Sequence, residues 1–212
     1  YLIAFGYAMG KHVTVDEMSY MEFLLPGLVA MSSMTQAFTI SSEINIARFY
    51  WHIFEEIQSS PVSDLSYVTG EVMAGMTRAV LSVLVILVLG YVFGVGMVLN
   101  VWFWLGVLLN SFVFASLAVG LAMVVRSHAD QALLTSFVIT PMAFLGGTFF
   151  PLENLPVWAQ TIITLLPISH AAVTIRSAAF GLEPPVSSLA VLALSGGVLF
   201  YIAVLCVKKA RD

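Results

Sequence analysis

The apolar positions of this chain fall in long continuous runs, and polar intervals separate these runs. A run of about 20 apolar residues matches the roughly 30 Å hydrocarbon core of a bilayer, so each long run predicts a membrane helix. Barrel strands would instead alternate over about ten residues. The predicted spans are residues 21–42, a helix from Ser63 to about Phe93, residues 101–125, residues 132–150 with a bend at Pro141, and residues 188–207.

The chain also begins inside an apolar run, residues 1–9, that is too short to cross a bilayer. A mature secreted terminus seldom starts in such a run. We therefore expect residues 1–9 to be the end of a membrane helix whose upstream part the parent gene encodes.

The stretch 141–176 is almost wholly apolar but cannot form one membrane helix. Pro151, Pro156 and Pro167 divide it, because each proline removes a backbone donor and crowds the preceding turn. The segment 157–166 has about ten residues, or about 15 Å of helix, which is half the thickness of the core. Broken backbone at membrane depth is tolerated only where protein or a water-filled cavity covers it. The sequence therefore predicts a re-entrant element at one mouth of a helical bundle.

The longest polar interval between spans, residues 43–71, carries the pattern of one amphipathic helix. The apolar stripe consists of Ile46, Phe49, Tyr50, Ile53 and Ile57, and the opposite face of Arg48, His52, Glu55, Glu56 and Ser59. Ser59-Ser60-Pro61 ends the pattern. An interfacial helix on lipid usually carries Lys and Arg on its polar face, whereas Glu55 and Glu56 dominate here. This balance favours a soluble protein partner, to which a stiff helix between two spans is well suited.

The distribution of cations predicts the orientation. Counting spans places the 43–71 interval, the turn at residue 126 and the C-terminus on one side of the membrane. That side holds Arg48, Arg126, Lys208, Lys209 and Arg211, and the other holds Lys11 and Arg176. The positive-inside rule assigns the first side to the cytoplasm. We therefore expect a cytoplasmic amphipathic helix and a broken element that faces outward.

Composition agrees with an integral membrane protein. The chain is 60% hydrophobic and 9% charged, against about 25% charged residues in soluble domains. Its formal charge of −4 argues against a nucleic-acid partner. The single cysteine, Cys206, excludes an internal disulfide and a thiolate metal cluster. Since no repeat or linker appears, we expect one transmembrane domain over residues 1–212.

Candidate chemistry is sparse. The sequence holds no HExxH pair, no Cys/His cluster, no GxSxG elbow and no GxxxxGK[ST] loop, so we expect no catalytic residue, no metal and no cofactor bound by this chain. No carboxylate falls at a predicted midplane, which argues against an ion-driven carrier.

Polar residues do share one face of the first span, because Ser32, Gln36, Thr39 and Glu43 recur at helical spacing. They could line a substrate pathway, or they could form hydrogen bonds between helices. Arg78, inside the second span, is expected to snorkel or to pair with Glu71.

Three motifs resemble the membrane subunits of ABC-2 type exporters. They are FLLPGLVAMSS at 23–33, FEEIQSSPVS at 54–63 and FLGGTFFPLENLPVWAQTIITLLPISH at 144–170, of which the third is the most specific. The likeness covers nearly the whole chain. One departure is Leu166, where many members have asparagine before the proline.

The resemblance implies an all-α, six-helix ABC-2 bundle whose first helix is mostly missing here. It implies a homodimer, or a pair with a paralogous permease, and a separate ATPase subunit that binds ATP and Mg. Segment 47–60 would be the coupling helix, so the ATPase contacts would be Arg48, His52, Glu55, Glu56 and Ser59. Segment 146–170 would be the outer re-entrant element, formed by Gly146, Gly147, Phe150, Pro151, Pro156, Pro167 and His170.

We therefore expect a multi-pass permease in the inner membrane that exports an amphipathic drug, lipid or saccharide, with Ser32, Gln36 and Thr39 on the pathway. Two alternatives remain open. One is a channel or carrier that needs no ATPase. The other is a membrane enzyme that acts on lipid through His170 and Glu153.

Overall fold

The computed structural model describes residues 14–15, 18–125, 127–151 and 155–211, without the side chains of residues 14, 15, 18, 55, 58 and 211. Two short strands, β1 Thr14–Val15 and β2 Met18–Ser19, pair antiparallel ahead of the first helix. The rest of the regular structure in these residues is helical. The expectation for residues 1–9 lies outside the described residues.

Ten α-helices follow in chain order through the described residues. They are α1 Tyr20–Phe38, α2 Ile40–Phe49, α3 Ile53–Ser59, α4 Asp64–Val92, α5 Val101–Val124, α6 His128–Leu134, α7 Thr140–Leu145, α8 Val157–Thr164, α9 Pro167–Ala179 and α10 Val186–Arg211, with a π-helical turn, Thr135–Ile139, between α6 and α7.

Four helical segments of the described chain are long and apolar enough to cross a membrane. They are Tyr20–Phe49, which joins α1 to α2, then Asp64–Val92, Val101–Val124 and Val186–Ala210. A fifth would be counted only if α8 and α9, which meet at 90°, formed one broken span. The expected total of six helices stays a prediction.

Polar side chains fix where the long helices begin. Ser19 caps α1 in a reciprocal capping box with Glu22, and Asn100 accepts from the backbone of Phe103 at the start of α5. The Oγ of Ser63 accepts from the backbone N–H of Ser66 at the start of α4. Each cap satisfies a backbone N–H that the helix itself leaves unbonded.

Helix α5 lies at the centre of the bundle, where it packs against α1, α4, α9 and α10. Small residues let the helices approach closely, as in other membrane bundles. A Cβ added to Gly75 on α4 would lie 3.0 Å from the carbonyl oxygen of Ala37. Only 22% of the apolar window is buried in α4 and in α10, against 67% in α5. The broad faces of α4 and α10 are therefore left for lipid or for another protein chain.

The amphipathic helix predicted over residues 46–59 is wrong in its extent. Helix α2 continues the first span to Phe49, three residues follow outside any helix, and α3 begins at Ile53. His52 lies in the left-handed region, with φ of 53°. The physical reason is that the C-terminal end of α2 is held against α5, so the chain must turn sharply before it can reach α4.

The fourth predicted span also differs from its expectation. Residues 128–145 are helical throughout but pass through the π-helical turn just before Pro141. The N–H of Thr140 bonds to the carbonyl of Thr135, one residue further back than in an α-helix. The helix ends at Leu145 rather than at residue 150, because Gly146 and Gly147 turn the chain and Gly147 has φ of 78°.

Candidate functional site

Contacts between helix ends define two opposite ends of the bundle. At one end, Arg48 Nη1 donates to the carbonyl of Met123 at 2.6 Å, and Asn45 Nδ2 donates to that of Val125 at 3.0 Å. We call this the α3 end; of the described residues it holds 45–63, 123–125, 127–128 and 206–210. The other end, which we call the α9 end, holds residues 18–23, 93–100, 146–151 and 155–186.

The span count predicted that the 43–71 interval, the turn after α5 and the C-terminus would lie at one end of the bundle, and the described parts of these segments do lie there. The 43–71 interval, the end of α5 and the end of α10 meet at the α3 end, where Arg48 and Lys209 line one pocket. Lys11, Arg126 and Glu153 lie outside the described residues. Which end faces the cytoplasm stays a prediction.

The turn that follows α7 is locked at the α9 end. A Cβ at Gly146 would lie 2.7 Å from Ile168, and a Cβ at Gly27 would lie 2.5 Å from the carbonyl oxygen of Thr148, so neither position has room for a side chain. The hydroxyl of Tyr20 donates to the carbonyl of Phe149 at 3.0 Å. The turn therefore rests directly on α1.

Arg176 is a residue that the sequence reasoning counted only as an outer charge. Its Nη2 donates to the carbonyl of Gly147 at 2.8 Å, and its guanidinium lies 3.9 Å from the centre of the Phe23 ring. A cation over an aromatic face is attracted by the ring quadrupole. Arg176 thereby ties α9 to α1 and to the turn, a role that only its position in an apolar stretch could have signalled.

The junction between α8 and α9 explains the Pro-Ile-Ser-His end of the third motif. Pro167 occupies the first turn of α9, where a missing N–H costs nothing. Ser169 Oγ donates to the carbonyl of Ile163 at 2.7 Å. The same carbonyl also accepts from the backbone N–H of Leu166 at 3.0 Å, so Ser169 adds a second hydrogen bond across the 90° bend between α8 and α9.

His170 joins three helices at this junction. Its Nε2 lies 2.9 Å from the carbonyl oxygen of Thr164, and its Nδ1 lies 3.2 Å from Ser188 Oγ in α10. A carbonyl can only accept, so Nε2 carries the hydrogen, and in the neutral ring Nδ1 accepts from Ser188. Both ring nitrogens are thus bonded within the protein.

Helix α9 lies across the end of the bundle rather than along it. Its last carbonyls, Ala178 and Ala179, accept from Asn100 Nδ2 at 3.2 Å and from Val98 N at 2.9 Å. Its first turn meets Gly146. Both ends of α9 therefore contact turns at the same end of the bundle.

The remaining predicted residues of this element differ in exposure. Phe150 and Pro151 are half-buried, and Pro156 is exposed at the start of α8. Helix α8 presents Val157 and Trp158, which are 78% and 69% exposed. This short apolar helix is therefore covered by little of the described chain.

At the α3 end the predicted polar face is divided. His52, Glu56 and Ser59 are exposed, whereas the side chain of Glu55 lies outside the described residues. Arg48 instead turns inward to Met123 and lies 5.3 Å from the centre of the Phe54 ring.

Phe54, which lay off the predicted apolar stripe, is the residue that anchors α3. It is 5% exposed and packs edge-on against Tyr67 of α4, with ring centres 5.5 Å apart. Only knowledge of the fold could have shown that this aromatic faces the bundle.

The polar face of the first span also divides. Ser32 Oγ lies 2.6 Å from Ser82 Oγ of α4, which is a bond between helices. Gln36 and Thr39 are exposed.

Arg78 forms a two-pronged ion pair with Glu43, so Glu71 was the wrong partner for this ion pair. Glu43 lies one helix away on the same exposed face, which sequence spacing alone could not reveal.

Among the described residues, no group of three His, Cys, Asp or Glu side chains is placed to hold a metal ion. The features of the two ends are helical breaks, exposed short helices and bonds to backbone carbonyls.

A bundle with several long apolar helices is that of a multi-pass membrane protein. The chain belongs to the ABC-2 type transporter family, whose model matches residues 1–180. It is 29% identical over 198 residues to the inner membrane transport permease YadH of Escherichia coli K12, covering 91% of this chain and 77% of YadH. It is 32% identical over 184 residues to Nodulation protein J of Rhizobium meliloti, covering 85% of this chain and 70% of that protein. Nodulation protein J of Rhizobium leguminosarum bv. viciae is 30% identical over 210 residues, covering 98% and 77%. The role of a membrane transport permease follows from this family.

Proposed function

We propose that this chain is the permease subunit of an ATP-driven exporter in the inner membrane, with its C-terminus in the cytoplasm. A separate ATPase subunit, which holds ATP and Mg, docks on α3. An amphipathic substrate leaves beneath α8 and α9. The observation that carries this proposal is that α3 and the α8–α9 junction lie at opposite ends of one bundle. The site that receives force from the ATPase and the site from which an exported substrate leaves must be separated in this way.

Helix α3 is joined to the bundle in a way that suits the transfer of force. Phe54 is buried against Tyr67 of α4, whereas His52, Glu56 and Ser59 are exposed, so a docked subunit would meet these three residues. A push on the exposed side of α3 would therefore reach α4 directly.

The exposed polar face of α1, α2 and α4 supports assembly with a second copy or with a paralogous permease. The Glu43 and Arg78 side chains are 50% and 40% exposed, although they pair with each other. Charged and polar groups at membrane depth normally face a bundle interior or a water-filled cavity rather than lipid. A second permease subunit would enclose this face, together with Gln36 and Thr39, as a substrate pathway.

A pair of matched charge reversals tests the docking of the ATPase. Glu56→Lys alters the exposed side of α3, and Glu183→Lys makes the same change in the exposed loop before α10, at the other end of the bundle. The permease is co-expressed with an ATPase subunit of the ATP-binding cassette class from the same organism, and copurification, ATP hydrolysis and export are measured. We expect Glu56→Lys to lose association and export, and Glu183→Lys to retain both.

Two outcomes would contradict the proposal. Unchanged association and export in Glu56→Lys would remove α3 as the docking site. Transport that persists in proteoliposomes without any ATPase would establish an ATP-independent channel or carrier instead.

A further inference from the structure

A pocket of about 290 Å³ opens at the α3 end between α2, α5 and α10. Its lining combines two cations with apolar and sulfur-containing side chains, and no carboxylate is among the lining residues that the structure describes. These are Arg48, Phe49, Met123, Val124, Cys206, Lys209 and Ala210. Such a lining suits a ligand with an anionic part and an apolar part.

The two cations of the pocket differ in their surroundings, because Arg48 is held by hydrogen bonding and Lys209 is exposed. Arg48 is held by the carbonyl of Met123 and lies 4.9 Å from the centre of the Phe49 ring. Lys209 is exposed near the end of α10, where a long flexible stem can move its ammonium over a phosphate. Lys208, the preceding residue, is also exposed but does not line the pocket.

The apolar side continues beyond the pocket. Phe49 also lines a neighbouring pocket of about 430 Å³, whose other walls include Ile46, Tyr50 and Trp51. Tyr50 and Trp51 are 83% and 64% exposed. Aromatic side chains of this type at the end of a span lie at the level of lipid headgroups. The ring of Phe49 thus separates a cationic pocket from an apolar one.

We propose that this pair of pockets binds an anionic phospholipid, with its phosphate between Arg48 and Lys209 and an acyl chain along Phe49 into the apolar pocket. Basic pockets between membrane helices bind anionic headgroups, and each cation near the surface contributes about 1 kcal/mol of attraction. A zwitterionic lipid lacks the net charge that two cations favour. The bound lipid would brace α2 against α5 and α10 next to the turn that leads into α3.

The test uses the purified permease alone in neutral detergent, so its outcome is independent of the ATPase. Dioleoyl-phosphatidylglycerol is titrated, and binding is followed by native mass spectrometry and by the thermal midpoint. Lys209→Gln is expected to weaken binding about fivefold, the loss of one surface cation. Lys208→Gln, the matched control, is expected to stay within about twofold of the wild type, because its charge lies outside the pocket. Arg48 is left unchanged because it also holds the end of α5.

Three comparisons decide the outcome. Equal losses in Lys209→Gln and Lys208→Gln would show attraction to the general charge of the C-terminus and would overturn the site. Equal binding of dioleoyl-phosphatidylcholine would overturn the preference for an anion. A midpoint shift of the same size with inorganic phosphate would show a free-anion site and would overturn the lipid assignment.

Discussion

Replacing Gly27 by alanine would place a methyl group where α1 meets the turn after α7. The added Cβ would lie 2.5 Å from the carbonyl oxygen of Thr148 and 2.9 Å from its Cα. Both are backbone atoms, which cannot rotate away as a flexible side chain could. The turn, or α1 itself, must therefore shift.

The expected magnitude follows from two opposing effects. Overpacking in a well-packed site costs about 1–3 kcal/mol. Alanine is favoured over glycine inside a helix by about 1 kcal/mol. At Gly70, in the first part of α4, an added Cβ would have nothing within 4 Å, so Gly70→Ala shows the helix effect alone. The difference between the two variants isolates the steric effect, about 1–3 kcal/mol in favour of Gly70→Ala.

Thermal unfolding of each purified variant in detergent, followed by tryptophan fluorescence, measures this difference. A domain of this size shifts by roughly 2–4 °C per kcal/mol, so the two midpoints should differ by about 2–12 °C. Under the proposed function, export should fall in Gly27→Ala, because the shifted turn adjoins α9 at the proposed substrate exit, and should persist in Gly70→Ala. Equal midpoints would refute the close approach of α1 to this turn.

Further predictions concern the α8–α9 junction and the exposed ion pair. Leu166→Asn gives α9 a capping side chain that Leu166 lacks, worth about 1 kcal/mol, but it also removes a half-buried leucine that packs against the core. The two effects should nearly cancel in thermal unfolding, and a midpoint shift of several degrees in either direction would contradict this. His170→Ala removes the link from α9 to Thr164 and should lower stability by about 1 kcal/mol, whereas unchanged stability with lost lipid turnover would support a catalytic role. Arg78→Glu should reduce folded yield, measured by size exclusion, and Glu43→Arg in the same chain should restore it; failure of the double variant would contradict the pairing.

The sequence could predict the features that depend on local chemistry. Proline suits the first turn of a helix and disfavours a helical residue before it, so the start of α9 at Pro167 and the break before α8 at Pro156 follow from residue type. The rule is not absolute, since Pro26 lies inside α1. The run of apolar residues likewise predicts α4, α5 and α10. Ser63 comes directly before an apolar helical run, where a short polar side chain commonly accepts from a free backbone N–H, and it caps α4 in this way.

The features that it could not predict depend on which helices become neighbours. Glu43 and Arg78 are 35 residues apart in the chain, and no pattern in either segment indicates that these two side chains will pair. Phe54 stood off the apolar stripe, yet it faces Tyr67 because α3 is a separate helix with its own direction. Arg176 donates to a backbone carbonyl. Every residue has such a carbonyl, so the residue types in a sequence do not indicate which one an arginine will contact.

The first span has a length that bears on how the two ends communicate. Tyr20–Phe49 has 30 residues, or about 45 Å of helix, which exceeds the roughly 30 Å hydrocarbon core. Near one end, Arg48 is bonded to α5 beside α3, and at the other Tyr20 is bonded to the turn at Phe149. A displacement of α3 that moves Arg48 must therefore either bend this helix near Thr39, where α1 gives way to α2, or move the turn at the α9 end.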